Sequence, residues 1–144
     1  MKIEVGTSDK VVEQIEKRFG FREIRIQGNR LLVNGKAVKL RGVCRHEMHP
    51  LTGRVMNPAL ERKDVELYRD AHCNVIRTSH YPPCEELLEV CDELGMFVEV
   101  EAPVCWIGHH ANETWMVLNY RDPKYYPYVM QANMEMIRFY RNLP

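Results

Sequence analysis

The stretch that most constrains this chain is NVIRTSHYP at residues 74–82, followed by an amphipathic run that closes on DELG at 92–95. Val75, Ile76, Arg77 and Ser79 alternate only loosely, the pattern of a short strand covered on both faces in a parallel sheet. The polar residues come last. Arg77, Ser79, His80 and Tyr81 gather at the carboxyl end, where barrels and open α/β sheets carry their binding and chemistry. Pro82 locks its own φ and confines Tyr81 to extended backbone, so the chain leaves the strand in a fixed direction. A lone arginine or histidine there reads more readily as an ion-pair partner or a hydrogen-bonded core group than as a site residue. Clustering is what marks a candidate site.

The flanking sequence supplies the neighbours such a strand needs. Residues 40–46 read as a strand entering the same sheet, with Gly42 allowing close backbone approach. A polar loop over 48–58 leads to Asn57-Pro58, a helix start, and Leu60, Val65, Leu67, Tyr68 and Ala71 continue at three- and four-residue spacing. After the central strand, Pro83 opens a second helix with Leu87, Leu88, Val90, Cys91 and Leu94 inward and Gly95 as its cap. Residues 96–101 form a third strand, and a long aromatic loop over 102–127 follows it. The last helix runs over 128–141, with Val129, Ala132, Met136, Ile137 and Tyr140 inward. Strand, crossover helix and adjacent strand make right-handed parallel units. Upstream, residues 23–40 read as three short strands with an Asn34-Gly35 hairpin turn, whereas 9–18 reads as a helix or a polar strand.

Composition excludes several partners. Twenty basic and twenty acidic residues cancel, leaving no electrostatic footprint for nucleic acid or an anionic membrane surface. The chain has no apolar run of the ~20 residues that span a bilayer, and its first residues lack the apolar core of a signal peptide. A cytoplasmic location is the default expectation. Five cysteines without regular pairing, at 44, 73, 84, 91 and 105, read as buried free thiols.

Two blocks in order, LVNGKAVKLRGVCRHE at 32–47 ahead of His49-Pro50, and NVIRTSHYP at 74–82 with CDELG at 91–95, resemble the signature region of family 2 glycoside hydrolases, the β-galactosidase and β-glucuronidase group. The resemblance covers residues 20–144. It implies an α/β fold holding the first three βα units of a (β/α)8 TIM barrel, preceded by a short β-hairpin region and a remnant of an immunoglobulin-like sandwich strand. On that reading residues 1–22 are the sandwich remnant and 23–144 the amino-terminal part of the barrel. A full barrel takes about 250 residues, so the chain would be a fragment of a retaining β-glycosidase, most like a β-galactosidase.

The same resemblance assigns roles. His46 and His80 correspond to strand-end histidines that contact sugar hydroxyls and the transition state, and Arg77 to the arginine that keeps the nucleophile's carboxylate ionised. Glu101 corresponds to the acid ending the third strand; an ion pair with Arg41 or Arg77 is the alternative reading. Trp106 offers a face for sugar stacking, or fills the loop. Both catalytic glutamates would lie beyond residue 144, so the isolated chain is expected to be inactive, with carbohydrate as ligand, no cofactor and self-association through open sheet edges. Cys44 stands where many members have Asn, and Glu99 where an apolar residue is usual. Residues 103–106 lack the ligands of the magnesium site some β-galactosidases hold, so no metal is expected. A metal-dependent hydrolase using Cys44, His46, His49, His80, His109 and His110 is the rival enzyme reading, opposed by the three-residue spacing of His46 and His49.

Overall fold

A computed structural model describes residues 1–103 and 123–144. The chain divides into two compact units, residues 1–38 with 138–144, and residues 39–137.

The first unit is antiparallel. β1 (Lys2–Thr7) and β2 (Lys10–Glu16) form a hairpin, which resolves the open reading of residues 9–18 in favour of a strand. β3 (Ile24–Gln27), β4 (Arg30–Val33) and β5 (Lys36–Val38) form a second sheet in that order. The turn between β4 and β5 is the predicted Asn34-Gly35 pair, with φ of 49° and 75°, the positive values a two-residue hairpin turn requires. Asn34 also accepts from the Glu23 amide through its side chain, at 2.8 Å.

The second unit carries the parallel sheet. β6 (Gly42–Arg45), β7 (Val75–Thr78) and β8 (Phe97–Glu99) lie side by side and parallel, with Cys44 opposite Arg77 and Arg77 opposite Glu99. Two helices make the crossovers, α1 (Pro58–Asp70) and α2 (Glu85–Leu94). Asn57 caps α1 by accepting from the Ala59 and Leu60 amides at 3.0 and 3.1 Å; such a cap contributes about 1 kcal/mol. Gly95, at φ 70°, ends α2 in the left-handed conformation that glycine adopts without a Cβ penalty.

Alternation along the strands sorts the side chains. Val43, Ile76 and Val98 share a register row; Ile76 and Val98 meet Val65, Leu87, Val90, Cys91 and Met96 in the core, where Ile76, Val65 and Leu87 are fully buried. Burying each such side chain contributes about 1.5–3 kcal/mol. The intervening row, Cys44, Arg77 and Glu99, faces away from that core.

Asn74 joins β6 to β7 at their start. Its side-chain Nδ2 donates to the Lys39 carbonyl at 3.0 Å and its Oδ1 accepts from the Arg41 amide at 2.7 Å, while its own amide donates to the Arg41 carbonyl at 2.7 Å.

Three expectations need correction. Cys44 is exposed, because it sits on the face turned away from the helices. On α1 the buried positions are Glu61 and Val65, whereas Leu67 is half exposed; the stripe is turned because Glu61 is drawn inward by a cation described below. α3 (Tyr126–Tyr140) has no fully buried residue and Ile137 is exposed, although Val129, Ala132, Met136 and Tyr140 are half-buried as the spacing predicts. No helix among the described residues is long and apolar enough to cross a membrane.

Candidate functional site

The carboxyl ends of the three parallel strands bring four of the five predicted residues together. His46 follows β6 and His80 follows β7; their rings lie edge to face with centroids 5.0 Å apart. Arg77 Nη2 lies 2.6 Å from Glu101 Oε2, and His80 Nδ1 lies 3.3 Å from Glu101 Oε1. Glu101 therefore bridges the cation and the imidazole. Of the two arginines considered for it, the register of β7 against β8 selects Arg77. The Glu101 amide donates to Thr78 Oγ1 at 3.1 Å, which fixes the acid's backbone against β7. The Ser79–His80 peptide is cis. Trp106, with Cys105, His109 and His110, lies outside the described residues.

Cys44 belongs to this cluster, although composition placed it in the core. Its Sγ accepts from Arg77 Nη1 at 3.4 Å. The Arg77 pKa is raised, first by that contact, which together with the charges of Glu101 and Glu99 outweighs the opposing loss of hydration. The guanidinium is a fixed cation with a sulfur on one side and a carboxylate on the other.

Behind the rim, a second set of contacts locks the loops. The Glu47 amide donates to the Tyr81 hydroxyl at 3.0 Å, and Glu47 Oε1 accepts from the Cys84 amide at 2.8 Å, at the amino end of α2. On the helix-facing side Arg45 is buried between Glu61 and Asp64, with Nη2 contacts of 2.8 and 2.9 Å. Its aligned hydrogen bond is from Nε to Asp64 Oδ2, at 3.0 Å. The Nη2 contacts are charge pairing without hydrogen-bond geometry, so that nitrogen and both Glu61 oxygens have no hydrogen-bond partner among the described residues. Burial pushes the Glu61 carboxyl above the ordinary carboxylate range in spite of Arg45. Glu47 and Glu61 escaped the sequence reading as organising groups, because their partners, Tyr81 and Cys84 for Glu47 and Arg45 for Glu61, are brought to them by tertiary contact and not by local spacing.

Among the described residues, Glu47, Glu61 and Cys84 place one donor atom each within 4.8 Å of one another. Glu61 is ion-paired with Arg45, and Glu47 accepts from the Cys84 amide. Cys44, His46, His49 and His80 are not part of it.

The thiols divide by environment. Burial pushes Cys84 and Cys91 up to about 12, so at pH 8 they hold almost no thiolate, the nucleophilic form. Iodoacetamide at that pH is expected to label Cys44 well before Cys84 or Cys91, read by peptide mass mapping at timed quenches. Faster labelling of Cys91 than Cys44 would contradict the face assignment of β6.

Comparison with known proteins bears on what this rim belongs to. Residues 24–144 match the family described as "Glycosyl hydrolases family 2, TIM barrel domain". The chain belongs to glycosyl hydrolase family 2. Among curated family members, a β-galactosidase of Arthrobacter sp. (strain B7) is 44% identical over 99 residues, 69% of this chain and 10% of that protein. A putative β-glucuronidase of Formosa agariphila is 38% identical over 116 residues, 80% of this chain and 14% of that protein. A β-glucuronidase from Ruminococcus gnavus, solved with D-glucaro-d-lactam, matches 99% of this chain and 23% of its own at 28% identity, with a TM-score of 0.75. The chain thus spans between a tenth and a quarter of the length of these family relatives.

Proposed function

We propose that the chain is the amino-terminal part of the catalytic barrel of a retaining β-glycosidase, with β6, β7 and β8 as the first three barrel strands. Residues 1–22 are then a remnant of the preceding immunoglobulin-like sandwich domain and 23–144 the barrel portion. His46, Arg77, His80 and Glu101 act on the saccharide by binding and electrostatics. The observation that carries the reading is the convergence of Arg77, His80 and Glu101, at 2.6 and 3.3 Å, beside His46 on one rim of a parallel sheet. Hydrolysis requires a proton donor and a second carboxylate about 5–5.5 Å apart in a retaining enzyme. On this reading both glutamates belong to later strands, and the present residues prepare their surroundings. Arg77 stabilises negative charge, and the two imidazoles offer hydrogen bonds to sugar hydroxyls.

Similarity to a β-galactosidase favours β-galactosides as substrates. The match to the R. gnavus β-glucuronidase structures supports β-glucuronides as the second reading.

Two measurements test this. The purified chain is expected not to turn over p-nitrophenyl β-galactoside or β-glucuronide; release of nitrophenol that co-purifies with the chain would refute the absence of the acid and nucleophile. Titration of the 15N-labelled chain with phenyl β-galactoside is expected to move amides at 46, 77, 80 and 101 before others. Shifts confined to other residues, or none up to the sugar's solubility, would refute the site.

A further inference from the structure

The loop between β6 and α1 is closed by its own bonds. His49 and Gly53 exchange backbone hydrogen bonds at 2.7 and 2.9 Å, the Leu51 amide donates to His49 Nδ1 at 3.3 Å, and Thr52 Oγ1 donates to the Val55 carbonyl at 2.9 Å. Gly53 turns this loop with φ 62°, a value at which a β-carbon is strained. The next residue, Arg54, lays its guanidinium over the Tyr81 ring, 5.0 Å from the centroid. Tyr81 in turn is held through its hydroxyl by the Glu47 amide, and its ring lies 6.2 Å from that of His46. Arg54 is therefore a placed cation on the β6 side of the rim.

Among the described residues no carboxylate forms an ion pair with Arg54, which is exposed. The acids of this face lie on the far side: Glu101 is engaged by Arg77 and His80, and Glu99 stands opposite Arg77. Glu47 is turned to the amino end of α2. The rim is thus polarised, with carboxylates along β8 and a guanidinium beyond β6. A guanidinium stacked on an aromatic ring keeps its edge N–H groups free for planar oxyanions, and stacking reduces the conformational entropy lost on binding.

We propose that Arg54 is a specificity-determining residue that receives an anionic substituent of the saccharide, a carboxylate or a sulfate ester, on the β6 side of the rim. This rests on the saccharide site proposed above and adds the charge and orientation of its ligand: the anionic substituent lies toward the 49–54 loop and away from Glu99 and Glu101. A neutral hydroxymethyl group in the same place leaves the guanidinium to water.

The test uses the full 144-residue chain and three probes, methyl β-galactoside, methyl β-glucuronide and methyl β-galactoside 6-sulfate, titrated by NMR with amide and arginine Nε–H shifts followed. Both anionic sugars, or whichever of the two oxyanions fits, are expected to bind roughly three- to tenfold tighter than the neutral one, as an exposed but bidentate charge-assisted contact allows. The margin is expected to vanish in Arg54→Gln, to shrink in Arg54→Lys, which keeps the charge and loses the fork, and to fall in 0.5 M salt. The Arg54 Nε–H resonance is expected to move with the anionic probes only. Equal affinity for all three sugars, or a preference unaltered in Arg54→Gln, would overturn the proposal and leave the site intact. Failure of all three to shift residues 46, 77, 80 and 101 would overturn the site reading and this proposal together.

Discussion

Replacing Arg45 by methionine is expected to destabilise the chain by about 3–5 kcal/mol, because it removes one partner of a buried pair and leaves the other's charge without compensation. Arg45 and Glu61 have side chains only 2% and 1% exposed, and Asp64 shares the same guanidinium. Urea unfolding followed by far-UV circular dichroism measures the loss. The double variant Arg45→Met with Glu61→Leu is expected to recover much of it, since neither desolvated charge then remains. The sign of the pH dependence follows from Glu61, whose folded-state pKa already lies above 4.5. Without Arg45 it rises further, so the folded form keeps a proton that the unfolded chain gives up. Stability of the single variant is then greatest in acid and declines as pH rises through and beyond the ordinary carboxylate range. A cost under about 1 kcal/mol at neutral pH would show that the pair is not the desolvated contact described here.

Gly42→Ala is expected to act on the site through the backbone. A β-carbon at position 42 would lie 1.8 Å from the Val75 carbonyl oxygen and 2.6 Å from its Cγ1, so strand β6 must move away from β7. Overpacking of this kind costs about 1–3 kcal/mol and more where backbone must shift. The displaced strand carries Cys44 and His46, which face Arg77 and His80. The variant is therefore expected to lose stability, by urea unfolding, and to label at Cys44 at an altered rate, because the contact from Arg77 Nη1 to its Sγ depends on that register. A variant with unchanged midpoint and unchanged labelling would contradict the close approach at Gly42.

What could be read in the sequence was what short segments decide by themselves. Asn57-Pro58 as a helix start, Gly95 as a helix end and Asn34-Gly35 as a turn follow from backbone preferences, and each holds. So does the order of strands and helices from 40 to 101. That the two rim histidines, Arg77 and Glu101 gather at the strand ends was legible because polar residues at the end of an apolar strand are conspicuous and because two blocks resemble a known family. Tertiary contact decided the rest. Cys44 passes for a core thiol until the pleat assigns it to the face with Arg77. Glu61 passes for a surface residue of an amphipathic helix until Arg45, on the helix-facing side of β6, draws it in. Arg54 lies in a polar loop with no local mark at all; only the fold brings it onto Tyr81.

The amide of Asn74 behaves as a spare peptide unit, offering one hydrogen and one oxygen where β6 has not yet begun to pair with β7. A side chain that extends the ladder in this way acts as a gauge of phase between the two strands. If one strand slid by a single position, every alternate side chain would change sides, and the arginine and sulfur of the rim would exchange places with the isoleucine and valine beneath the helices. The polar face of the rim and the exclusion of water from the interior are thus decided by the same small alignment, set at the end of the sheet opposite to that rim.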